Sequence, residues 1–170
     1  MQDYKEQAAK RNVVLKTEGG CQFCGAQVSG GVDECMEKFA ELCGVEFSNP
    51  EYRKVHFLSV DAHALQHSEV HGKLNNRFHL LRLFLIFEQG TDWDFKKSPQ
   101  LSTLLKQHQI EDELVPPPLL KRGVLTVVDV LKATNAEEHK AFVEKWSRSV
   151  YDSWKDYHAW AKETAQKIGI

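Results

Sequence analysis

A chain of 170 residues, 42% hydrophobic and 27% charged, has enough material for one sizeable core, while two independent domains would each be thin. Its net charge of −2 leaves no basic excess, so phosphate-driven binding of nucleic acid is not expected. The longest apolar run, Leu80 to Phe87, contains Arg82 and is far too short for a membrane span, and the opening segment is polar throughout; a cytoplasmic, reducing setting is the expectation.

In chain order, the first feature is the loop "CQFCGA", followed by Gly30-Gly31. The spacing of Val32, Cys35, Phe39 and Leu42 predicts a helix over Val32–Cys43, with acidic residues in its first turn. Val55, Leu58, Ala62 and Leu65 predict a second helix from Tyr52 to about Glu69. Leu74 to Phe87 is apolar nearly all round, as a central buried helix would be, and Leu101–His108 reads as a shorter helix. After Pro116-Pro117-Pro118, Thr126-x-x-Asp129 and Thr134-x-x-Glu137 read as capping boxes. The second box opens the longest element, 135–167, with Trp146, Val150 and Trp154 on its inner face. Strand-like alternation is weak everywhere. The fold class is therefore all-α: one helical domain over 1–170, a bundle with an N-terminal zinc-knuckle-like Cys-x-x-Cys loop over 21–35.

Three of the four cysteines fall within fifteen residues, Cys21, Cys24 and Cys35. Zinc favours thiolate and imidazole in a tetrahedral shell, and a C-x-x-C turn aims two sulfurs at one ion. Glycine after the second cysteine lets the turn fold back towards them. Cys35 opens a helix, where the dipole favours a thiolate. The rivals are a redox pair, which belongs in a βαβ setting absent from this pattern, and packed thiols without a ligand. Cys43, far along the same helix, reads as a small core residue.

A fourth ligand has to come from the histidines. His56, His63, His67 and His71 share one face of the second helix, opposite Val55, Leu58 and Leu65, where solvent would be expected. His56 and His67 are separated by about 16 Å along the axis, so they cannot bind one ion. Antiparallel packing of the first two long helices returns His67 to Cys35 and leaves His56 near Cys43. His67 is thus the expected fourth ligand, with His63 its competitor, and one zinc per chain the expected cofactor.

The segments "CQFCGA", "GGVDECMEKFAELCGVEFSNPEY", "VHFLSVDAHALQH", "FHLLRLFLIFEQG", "LTVVDVLKAT" and "VEKWSRSVYDSWKDYH" together resemble a bacterial family catalogued as a domain of unknown function, number 5946. The resemblance implies that Cys21, Cys24, Cys35, His56, Asp61, Gln66, His67 and His79 occupy its pattern positions. His63 stands where that family has tyrosine and Cys43 where it has an aliphatic residue, which demotes both as ligands. Ser68 replaces a proline.

Three functions compete. The first is a binding module whose zinc is structural, with a protein partner or a second copy of itself. The second is an enzyme with a pocket around His67 and His79, in which Asp61 and His79 are the catalytic candidates and Trp154 or His158 contribute from the last helix. In a variant of it, His56, His67 and His79 hold a catalytic metal. The third is a zinc–thiol redox sensor. For Asp61, the structural alternative is pairing with Arg77 or Arg82.

Overall fold

The computed structural model describes residues 4–71 and 73–170, with the side chains of 73 and 74 set aside. Among these residues the secondary structure is helical, and the single β-type pairing is an isolated bridge between Gly19 and Gly30. In chain order the helices are α1 (Tyr4–Lys10), α2 (Gly31–Ser48), α3 (Pro50–Arg53), α4 (His56–Gln66), α5 (Lys73–Phe87), α6 (Lys97–Gln107), α7 (Val127–Val130), α8 (Ala136–Ser153) and α9 (His158–Ile168). No helix among the described residues is long and apolar enough to cross a membrane.

The centre of the bundle is α4, which packs against α8, α5 and α2. Covered on several sides, it buries polar residues along with apolar ones: His56, Ser59, Asp61, His63 and Gln66 are all inside, beside Leu58 and Leu65. The histidine face expected to meet solvent is therefore interior. The second predicted helix is also divided. Pro50 opens α3 under an Asn49 cap, whose side chain accepts the Glu51 N–H at 2.9 Å, and the chain bends at Lys54 before α4 begins. At the other end α4 stops at Gln66, where His67 takes φ −115° and ψ 38° and leads into one turn of 3₁₀ helix, Ser68–Val70.

The long helix expected over 135–167 is two helices, α8 and α9. Its start is capped by Asn135, whose side chain accepts the Glu138 N–H at 2.9 Å, and the Glu138 carboxylate turns back to the Thr134 N–H and hydroxyl. The box thus uses Glu138, not Glu137. The break follows Trp154. The Tyr151 carbonyl, which a continuous helix would offer to the amide of residue 155, accepts instead from the Trp154 N–H at 2.9 Å and from the ring Nε2 of His158 at 3.0 Å. Beyond the break, α9 turns onto α5. The Trp146, Val150 and Trp154 stripe is fully buried, as are Leu80, Leu81 and Leu83 of α5. The Thr126–Asp129 capping box is present as predicted, with the Asp129 carboxylate receiving the Thr126 N–H at 2.9 Å and its hydroxyl at 3.1 Å.

Candidate metal centre

The loop carrying Cys21 and Cys24 is held by its own backbone. Gly25 donates its N–H to the Cys21 carbonyl at 2.9 Å, and Cys21 donates to the Ala26 carbonyl at 3.1 Å, so the turn is closed by bonds from both its ends. Gly25 has φ +79°, which a side chain at this position would strain. Gly19 donates to Ser29 and Gly31 to Gly19, closing the loop onto the start of α2. Gly31 itself has φ +60°, and a Cβ there would stand 2.1 Å from the Lys16 carbonyl oxygen. Gly31→Ala is therefore expected to cost about 3 kcal/mol of stability, read as a lowered urea midpoint; an unchanged midpoint would show that the loop tolerates rearrangement.

These constraints bring Cys21 and Cys24 to Cys35 on the first turns of α2. From the far end of α4, His67 completes the group. Its Nε2 lies 3.4 Å from the Cys21 sulfur and 3.5 Å from that of Cys35, and the sulfurs of Cys24 and Cys35 are 3.8 Å apart. All four ligand atoms lie within 4.8 Å of one another, an arrangement able to hold a metal ion. Cys21, Cys35 and His67 are fully buried, and Cys24 is partly exposed. The Nδ1 of His67 is 2.7 Å from the His63 carbonyl. A carbonyl can only accept, so Nδ1 carries a proton there and the opposite nitrogen turns towards the thiols. Phe23 packs edge-on against the ring, with centroids 5.6 Å apart.

The electrostatics of the group are those of too many acids around too little positive charge. Hydrogen bonds to Cys24 and then Cys35 hold the Cys21 thiol far below the usual thiol range. Hydrogen bonding to Cys21 and Cys24, followed by burial, pushes Cys35 far up. Burial disfavours the His67 cation, but the charge of Cys24 and the bond to Cys21 outweigh it and lift the ring to about 10. With protons alone as counter-charge, the buried thiols and the imidazole compete for the same few protons. A divalent cation removes the conflict, because it lets every sulfur be anionic while the imidazole stays neutral.

The remaining candidates are placed elsewhere. His63 is not among the four: its ring is stacked between Phe39 at 3.9 Å and His67 at 4.0 Å, and its Nε2 has no hydrogen-bond partner among the described residues. Cys43 and His56 lie at the opposite end of α2, beside Glu46. His79 donates Nδ1–H to Asp61 at 2.6 Å, and Arg82 grips the same carboxylate through Nε at 2.8 Å and Nη2 at 2.5 Å. His56, His67 and His79 therefore have three different partners, and the variant in which they share a catalytic metal is ruled out. Gln66 is spent on structure, donating to the carbonyls of Arg122 and Leu125 and accepting from the Trp146 indole at 3.0 Å.

Two features had escaped the sequence. Arg122, buried in the irregular segment before α7, donates to the Pro117 and Gln66 carbonyls and grips Glu69 with two nitrogens. Glu46 is completely buried among His56, Ser59 and His139. A signal for Glu46 did exist, since it continues the Cys35, Phe39 and Leu42 stripe by one more turn.

No curated protein and no solved structure matches the chain. The family model described as "Family of unknown function (DUF5946)" matches residues 19–155, a span that runs from the cysteine loop through α8 and includes all four members of the cluster. The chain belongs to that family.

Proposed function

We propose that this is a small cytoplasmic protein that binds one zinc ion through Cys21, Cys24, Cys35 and His67, that the ion is mainly structural, and that the folded domain serves as a binding module. The spacing of the ligand atoms carries the reading. A tetrahedral zinc with Zn–S of about 2.3 Å and Zn–N of about 2.0–2.1 Å requires sulfurs about 3.8 Å apart and sulfur–nitrogen separations of about 3.5 Å. The distances of 3.8, 3.4 and 3.5 Å match this shell. Four protein ligands leave no open position, which is the pattern of structural rather than catalytic zinc. The backbone carbonyl on Nδ1 is the outer partner such a histidine needs to keep its orientation. Asp61, with both oxygens held by His79 and Arg82, offers the enzyme reading little support.

Elemental analysis of reduced, folded protein tests the proposal directly, and a sample without metal sinks it. His67→Ala is expected to weaken zinc retention by at least tenfold, as judged by competition with a chromophoric chelator. In the same assay His63→Ala leaves the knuckle ion in place, as does Cys43→Ser.

The partial exposure of Cys24 favours the sensor as second reading. A depression of about 340 Å³ beside it is lined by Gly25, Gln27, Leu120 and Lys132 among others. Attack of the Cys24 thiolate on hydrogen peroxide would break the O–O bond and give a sulfenic acid, and attack of the Cys35 thiolate on that sulfur would join the two sulfurs. With two protons taken from solvent both oxygens leave as water, and the ion is released. Zinc that stays bound under stoichiometric peroxide decides for the structural role.

A further inference from the structure

Glu46 poses a separate problem of charge. The buried carboxylate of Asp61 is neutralised by Arg82, and the half-buried one of Glu69 by Arg122. Glu46 is more completely enclosed than Glu69, yet its partners are two imidazoles and a hydroxyl. An enclosed carboxylate without a fixed cation is costly.

Its bonds divide between its two oxygens. Oε1 accepts from the Ser59 hydroxyl at 2.5 Å and from His139 Nε2 at 3.1 Å. Oε2 is bonded only to His56 Nδ1, at 2.7 Å. One oxygen is thus anchored from behind while the other faces a second ligand type. The Cys43 sulfur is the third member: it, a Glu46 oxygen and a His56 nitrogen lie within 4.8 Å of one another.

We propose that Cys43, Glu46 and His56 form a second metal site, for a divalent transition ion of the zinc type, with Ser59 and His139 as the outer partners that orient the carboxylate. One thiolate, one imidazole and one carboxylate are a mixed donor set suited to such an ion. The ion takes the place of the proton between Oε2 and His56 Nδ1, displaces the thiol proton of Cys43, and supplies the charge that Glu46 lacks. Three protein ligands leave a fourth position open to water or a small ligand. The site shares no residue with the Cys21, Cys24, Cys35 and His67 cluster and does not depend on that reading.

Dialysis of the reduced protein against micromolar zinc, followed by elemental analysis, separates the possibilities. Glu46→Gln keeps the volume and one oxygen acceptor while removing the charge, and Cys43→Ala tests the partly exposed ligand should the first variant fail to fold. The expected result is two ions per chain in the wild type and one in each variant. One ion in the wild type that both variants retain overturns the second site and leaves the knuckle site standing. One ion that both variants lose leaves the second site and removes the first.

Discussion

Replacing Cys35 with serine is expected to strip the knuckle ion and take a large part of the stability with it. This sulfur is completely buried and lies 3.5 Å from the His67 nitrogen and 3.8 Å from the Cys24 sulfur, so it touches both halves of the shell. Zinc binding in small structural sites contributes apparent free energies of about 10–16 kcal/mol, because the ion binds the folded chain and not the unfolded one. Loss of the ion should lower the thermal midpoint by well over 10 °C, and chelator should lower the wild-type midpoint to the same level. A Cys35→Ser protein that melts where the wild type does would refute the coupling. Retention should also fail on acidification, since protons compete with the ion for every ligand.

Asp61→Ala carries the second large effect. It removes the acceptor of both His79 and Arg82 and leaves the Arg82 guanidinium, only 3% exposed, without a counter-charge. That guanidinium sits over the rings of Phe57 and Phe78 at 4.9 Å and Trp93 at 5.8 Å, which cannot replace a carboxylate. Breaking a buried pair from one side costs about 3–5 kcal/mol. The urea midpoint should fall accordingly, and Asp61→Asn should recover part of the loss by keeping an oxygen acceptor. A change below about 1 kcal/mol would return Asp61 to the list of functional candidates.

The cysteine loop was legible because its requirements are local: the C-x-x-C spacing, the following glycine and a helix start are all read within fifteen residues. His67 could be placed from one topological assumption, that α2 and α4 run antiparallel, combined with helical rise. The burial of the α4 histidines was not legible. Amphipathic reasoning assumes that a helix has one wet face, and α4, packed against three neighbours, has almost none. The break at Trp154 was hidden for a similar reason, since both sides of it carry good helical periodicity and the interruption is accompanied by a ring nitrogen of His158 reaching a carbonyl seven residues earlier. Asp61 and Arg82 are 21 residues apart, so their pairing could be named as an option but not chosen over Arg77.

The anchoring of the segment around Arg122 bears on exchange with solvent. Between α6 and α7 the chain runs without helix, and polar fasteners hold it in place: Arg122 on Glu69, Gln66 on two of its carbonyls, and the Leu120 N–H on the Phe23 carbonyl. Amides fixed in this way open together, so the strip should lose hydrogen-exchange protection as one cooperative unit once the Arg122 fork lets go. Leu120, Gly123 and Val124, which line the depression beside Cys24, belong to that strip. Its opening should therefore raise thiol labelling at Cys24 above the level that the sulfur's partial exposure already allows, and Glu69→Gln, which loosens the Arg122 grip, should increase that labelling in step with deuterium uptake at Leu120.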